Sequence, residues 1–232
     1  MKSLQEELRQ LSDNALDMWE LVASQLENTR NALIDFDNTI ANEVIAKEKR
    51  VDAYELRIDK ECESLIALKN PFAADLRFVL AILKINYNLE RIGDFANGIC
   101  LMILDLKEPI KKEYFKKLQV LEMFQTCLDM LTIASDSLHT EDGKLARKIF
   151  EMDRFLDEAN HAAPDIVCEI VKDKPENLRV ILDVLLVVRR LERVGDQMTN
   201  IVEEIIFYIE AKKLMHKKFK KKISPPSDKD DE

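Results

Sequence analysis

Two stretches of this chain, 102 residues apart, are nearly the same: NLERIGDFANGI at 88–99 and RLERVGDQMTNI at 190–201. A long repeat at one offset means a supersecondary unit used twice. The match extends upstream. Leu76-Arg77 recurs as Leu178-Arg179, and apolar positions 79, 80, 82 and 83 recur at 181, 182, 184 and 185. Further upstream, EKRVD (48–52) aligns with DRFLD (153–157) at an offset of 105. The two offsets place a three-residue gap between the blocks, and Pro71 and Pro175 lie near it.

The unit is helical. Only 4 Gly and 6 Pro occur in 232 residues, with 47% hydrophobic and 34% charged residues. Sheets need more turn residues than this, and long amphipathic helices need few. Apolar periodicity predicts helices at 3–37, 40–68, 72–107, 111–138, 143–173 and 176–215. Breaks are expected at Asn70–Pro71, Pro109, Gly143 and Pro175. Asn70 and Pro71 read as an N-cap followed by Pro at the first helical position. Pro164 predicts a kink or break inside the fifth helix. The expected fold is all-α: two pseudo-symmetric three-helix bundles at 1–108 and 109–215, then a charged tail at 216–232.

Charge narrows the partners. Residues 212–232 hold eight Lys and four acids, while residues 1–211 carry 27 basic and 40 acidic residues, a net −13. Such a body repels nucleic acid and suits cations. Cys62, Cys100, Cys127 and Cys168 are far apart, with no C-x-x-C, and read as reduced, buried thiols of a cytosolic protein. The N-terminal residues contain no apolar signal core. Apolar runs such as Phe78 to Leu83 fall far short of the ~18 residues of a membrane span.

Chemistry points to the acids. Glu90 and Asp94 are four apart on a predicted helix, so their carboxylates share a face. Glu192 and Asp196 repeat the pair, and Glu48/Asp52 and Asp153/Asp157 repeat the spacing on the preceding helices. One such pair is what an acidic chain yields by chance. Four at repeat-equivalent positions are not, because like charges at i,i+4 cost ~0.2–0.5 kcal/mol each. A hard cation offsets that repulsion, and carboxylates suit Mg, Mn and Fe. Ile82, Ile85, Leu89, Ile92, Ala96 and Ile99 form an apolar stripe. At 100° per residue, Glu90 and Asp94 fall on roughly the opposite side. Any cation is therefore expected on the outer wall of the bundle.

Other features carry less. Gly93 and Gly195 sit mid-helix inside the acidic pairs, and close helix packing is the favoured reading. Arg77, Arg91, Arg179 and Arg193 read as structural ion pairs. Glu158 and His161 form an E-x-x-H, but a ferritin-like di-iron site needs two with core-facing carboxylates. Lys212, Lys213, Lys217, Lys218, Lys220, Lys221 and Lys222 suit an anionic membrane surface, an acidic partner or a solvated helix end.

The twice-used L-E-R-[IV]-G-D, the upstream [ED]-x-x-x-D and Asp75-Leu76-Arg77 resemble the PhoU family of phosphate-uptake regulators. The resemblance covers about residues 1–210. It implies paired three-helix bundles with multinuclear iron or zinc on their surfaces. The implied metal residues are Glu48, Asp52, Glu90, Asp94, Asp153, Asp157, Glu192 and Asp196. It also implies regulation without catalysis at the cytoplasmic side of the inner membrane, between a phosphate ABC transporter and a two-component sensor histidine kinase. The competing expectations are a carboxylate-bridged metal oxidase or phosphohydrolase, and an accessory protein of a different phosphate permease. A homodimer stays open. Two features depart from the family pattern: the second copy of D-L-R reads Asn177-Leu178-Arg179, and Asn usually follows the motif Asp by four residues. Asn200 fits, but Gly98 does not.

Overall fold

The computed structural model describes residues 3–211. These form α1 (Leu4–Asp35), α2 (Asn38–Lys69), α3 (Ala74–Asp105), α4 (Lys112–Lys117), α5 (Val120–Thr140), α6 (Gly143–Arg147), α7 (Ile149–Asp173) and α8 (Leu178–Glu210). A 3-10 turn at Pro175–Asn177 leads into α8. No strand occurs among the described residues. Helices α1, α2 and α3 pack on one another, as do α5, α7 and α8. The two bundles join side by side along α3 and α8, with α1 against α5. At 1.5 Å per residue, a 32-residue helix is ~48 Å long.

The predicted stripes are the core. Ile82, Ile85, Leu89, Ile92, Ala96 and Ile99 are fully buried or nearly so. Val184, Val187, Leu191, Val194, Met198 and Ile201 are buried at the equivalent positions of α8. One apolar cluster runs through both bundles. Trp19 of α1 is buried and donates its indole N–H to the Leu131 carbonyl of α5 at 3.1 Å, a polar tie between the halves.

Several boundaries differ from expectation. The helix predicted at 111–138 is broken after α4. Ile110, Tyr114, Phe115 and Leu118 are all buried, and Gln119 adopts φ 53°, so the chain turns to seat this apolar group. The helix predicted at 143–173 begins as the separate turn α6. Asp142 caps it by accepting from the Lys144 and Leu145 amides at 2.8 and 3.0 Å. Asn70 is not an N-cap. It ends α2 in the left-handed conformation, φ 48° and ψ 56°, with Pro71 just beyond. Helix α3 instead starts at Ala74 without a side-chain cap. Helix α7 continues unbroken through Pro164, which lies on its exposed face. Cys62, Cys100 and Cys127 are buried, but Cys168 is exposed on α7, where its turn of helix faces away from the core. The tail at 216–232 and the lysines from Lys212 on lie outside the described residues.

Candidate metal centres

Helix α2 carries Glu48, Asp52, Glu55 and Asp59 at spacings of four, three and four, so all four lie along one face. Helix α3 carries Glu90 and Asp94 on its outer wall. The packing of α2 on α3 brings the two rows together. Asp94 faces both Glu48 and Glu55, and Glu55 also faces Glu90. Burial, then the Asp94 and Glu55 charges, push the Glu90 carboxyl up to about 7, with Arg91 opposing. Burial also raises Glu48, against a hydrogen bond from Asn97 and with the Asp94 and Asp52 charges adding. Glu55 is raised by burial and by Asp59, Asp52 and Asp94. The row is thus a crowd of carboxyls that resist full ionisation. Asn97 is 9% exposed, and its Oδ1 lacks a hydrogen-bond partner.

The second half builds the row differently. Asp153 and Asp157 come from α7, Glu192 and Asp196 from α8. Asp153 is only 8% exposed. It was expected on the outer wall with the other acids, and close approach of α7 to α8 has buried it. A Cβ at Gly195 would stand 2.6 Å from Asp153 Oδ1 and 2.6 Å from Leu156 Cδ1. The glycine is therefore the space that Asp153 and Leu156 occupy. Burial, then Asp157, Asp196 and Glu192, push the Asp153 carboxyl up to about 7. At Gly93 the fit is looser: a Cβ would meet Gln25 Oε1 at 3.3 Å and Val51 at 3.5 Å. Close packing is the role of both glycines.

The eight sequence-predicted acids thus gather as two clusters of four, one per bundle. Sequence reasoning missed Glu55, Asp59 and Asn97. The repeat hid them, because the equivalent positions in the second half are Asn160, Pro164 and Thr199. The usable signal was the spacing from Asp52, which keeps Glu55 and Asp59 on its face. As the side chains stand, no three His, Cys, Asp or Glu groups among the described residues close on a single point. The donor chemistry nonetheless fits a hard cation: oxygens throughout, charge in excess, and in the first half an orphaned buried amide oxygen.

Three of the four arginines make structural contacts. Arg91 pairs with Asp94 at 3.6 Å and lies over the Phe95 ring. Arg179 pairs with Asp183 at 3.3 Å. Arg77 donates to the Tyr208 carbonyl at 3.2 Å rather than to an acid. Glu158 and His161 are exposed on α7, so no core-facing E-x-x-H site is formed there.

The Gly98 departure has a cause in the α3–α8 packing. A Cβ at Gly98 would stand 3.1 Å from the Arg190 guanidinium. Arg190 is the repeat equivalent of Asn88, and Asn200 that of Gly98. Across the same interface Asn200 Nδ2 donates to Asn88 Oδ1 at a long 3.4 Å. The two contacts are pseudo-symmetry mates. A large Arg on one side is matched by a Gly on the other.

A PhoU domain model matches residues 15–103 and again residues 120–205. The chain belongs to the PhoU family. The double match falls on the two bundles, one domain for α1–α3 and one for α5–α8. The chain is 34% identical over 212 residues to the phosphate-specific transport system accessory protein PhoU homolog of Borreliella burgdorferi, covering 89% of this chain and 94% of that one. It is 33% identical over 210 residues to PhoU homolog 1 of Thermotoga maritima, covering 90% and 89%. The crystal structure of PhoU from Pseudomonas aeruginosa superposes with a TM-score of 0.84 at 28% identity, over 90% of this chain and all of that one. The phosphate transport system regulatory protein PhoU of Streptococcus pneumoniae gives 0.83 at 26% identity, over 92% of this chain and all of that one. Among the described residues no helix is long and apolar enough to cross a membrane.

Proposed function

We propose that this PhoU-family chain is an accessory regulator of phosphate transport that restrains phosphate uptake and phosphate-starvation signalling. In this reading it links a phosphate ABC transporter to a two-component sensor histidine kinase at the inner face of the membrane. The observation that carries it is the match over nine-tenths of the chain to proteins named as accessory to the phosphate-specific transport system. The two acidic rows support the second part of the proposal, a set of cation sites. Glu48, Asp52, Glu90 and Asp94 would hold iron or zinc in one half, with Glu55 at hand. Asp153, Asp157, Glu192 and Asp196 would hold it in the other; Mg or Mn would suit the same oxygens. A bound cation supplies positive charge that lets these carboxyls ionise together. The chain's own part is to hold them side by side on two rigid helices.

Co-purification tests the regulatory role. Tagged protein from phosphate-replete cells should bring down transporter subunits and kinase, and deletion should raise phosphate uptake. Normal uptake control without the protein would refute the role. Elemental analysis of protein purified without chelators tests the cation sites. Turnover of phosphoesters or oxygen by metal-loaded protein, lost on Glu90→Ala or Glu192→Ala, would instead mark an enzyme.

A further inference from the structure

Arg190 of α8 is a cation that the chain leaves unanswered. It is half-buried in the seam between α3 and α8, and among the described residues it forms no ion pair and no hydrogen bond. Its Nη1 is buried without a partner. The charge that acts on it is a second cation. Burial, then the Arg193 guanidinium, hold Arg190 below its usual value, and no acid counters them. The acids of this region are engaged elsewhere. Asp94 of α3 pairs with Arg91 at 3.6 Å, and Glu192 and Asp196 face Asp153 of α7. Arg193 is exposed and makes no ion pair among the described residues. Buried donors without partners are costly, and a buried charge without one more so, unless something from outside meets them.

Gly98 lies directly against this guanidinium. A Cβ there would stand 3.2 Å from Arg190 Nε and 3.1 Å from Nη2. Nε and Nη2 form the edge with which a guanidinium takes two oxygens of one anion. Any side chain at 98 would lie on that edge, and glycine leaves it uncovered. The arrangement occurs once in the chain. The repeat equivalents are Asn88 and Asn200, neutral amides that bond each other at 3.4 Å. Charge selects the ligand. Arg190 and Arg193 are three residues apart on one helix, so their side chains are neighbours. A carboxylate would neutralise only one of them. A phosphate group carries about −1.5 to −2 at pH 7 and has oxygens for both. Residues 1–211 carry a net −13, so such an anion is held by contact with the two guanidiniums and not by the overall field.

We propose that Arg190 and Arg193, with Gly98 keeping the fork open, form a binding site for a phosphate-type dianion on the α3–α8 seam. The site stands apart from the regulatory reading, since it needs no transporter, kinase or bound cation. The test uses the full chain dialysed against a chelator, so that no cation in the acidic rows can hold phosphate. Inorganic phosphate is titrated in at constant ionic strength and followed by isothermal titration calorimetry. Expected are saturable binding, competition by sulfate and no competition by acetate. Arg190→Gln should weaken binding about tenfold or more, and Arg190→Lys nearly as much, because an ammonium keeps the charge but not the fork. Gly98→Ala should weaken it severalfold with every charge in place, and Arg193→Gln likewise. Far-UV circular dichroism should be unchanged in each variant. A parallel titration with glycerol phosphate separates two sources of the same chemistry, the free ion and a monoester; the tighter of the two is the ligand the site takes. Failure of both to bind would overturn the proposal, as would binding unaffected by Arg190→Gln and Gly98→Ala.

Discussion

The two acidic rows descend from one repeated unit, yet they solve the crowding of carboxylates in different ways. In the first half the row is long and half-exposed: Glu48, Asp52, Glu55 and Asp59 line α2, and Glu48 and Glu55 among them face Asp94 or Glu90 on α3. In the second half it is short, and its first member is pulled inside, Asp153 lying over Gly195. The first half spreads like charge along a solvated wall, where screening softens it. The second buries one carboxyl and pushes it up to about 7. Thr199 extends the contrast. Its hydroxyl donates to the Asp196 carbonyl at 2.9 Å, so it does not reach across to α7 as Asn97 reaches Glu48 on α2.

The largest effect should come from removing ligands one half at a time. Glu192→Ala with Asp196→Ala should strip cation from the second half, and Glu90→Ala with Asp94→Ala from the first. Helicity by circular dichroism should stay nearly intact. Metal content measured on each variant breaks the comparison if both double mutants retain the wild-type amount.

The glycines offer the next contrast. Gly195→Ala forces Asp153 and Leu156 to move, and overpacking of this kind costs ~1–3 kcal/mol. Gly93→Ala meets its neighbours at 3.3 and 3.5 Å, and its ~1 kcal/mol gain in helix propensity leaves it near neutral. Urea midpoints for the two variants measure the difference; equal midpoints would mean that the halves pack alike.

Stability against pH should separate the metal-free rows from ordinary acidic surfaces. Glu90 and Asp153 sit at about 7 when folded, above their usual 4.5 and 3.8. Between those values the folded protein binds more protons than the unfolded chain, so stability falls as pH rises from 4 to about 7. The Asp153 contribution is fully present near pH 4 and gone above pH 7. Asp153→Asn should therefore raise the melting temperature at pH 8 by a few degrees and leave it almost unchanged at pH 4. A variant as unstable as wild type at both pH values would place Asp153 in water.

The smallest effect concerns the seam between the halves. Gly98→Asn alone should cost ~1 kcal/mol through its clash with Arg190. Combined with Arg190→Asn it should cost less than the sum, with a coupling of ~0.5–1 kcal/mol. Strict additivity in a double-mutant cycle would show that Gly98 and Arg190 are independent.

The fold was largely legible. The repeat gave the doubling, and the stripe from Ile82 to Ile99 gave the buried face of α3. The places where reading failed are local and have reasons. Asn70 has the right chemistry for either end of a helix, and only the backbone decides that it closes α2 rather than opening α3. Leu118 and Gln119 break a segment whose periodicity is otherwise helical, because burying Tyr114, Phe115 and Leu118 together requires a turn. Glu55 and Asp59 sat in plain view but have no counterparts in the second half, so a search by repeat passed over them.

Periodicity and repetition are properties of the string. They determined that this chain is two copies of a helical unit and that each copy sets paired carboxylates opposite its apolar stripe. How far apart two helices run is not written in either helix. It follows from the residues that meet between them. Packing alone therefore decided that Asp153 is buried, that Asp94 stands close to two acids of α2, and that Arg190 fills the space of a missing side chain at Gly98.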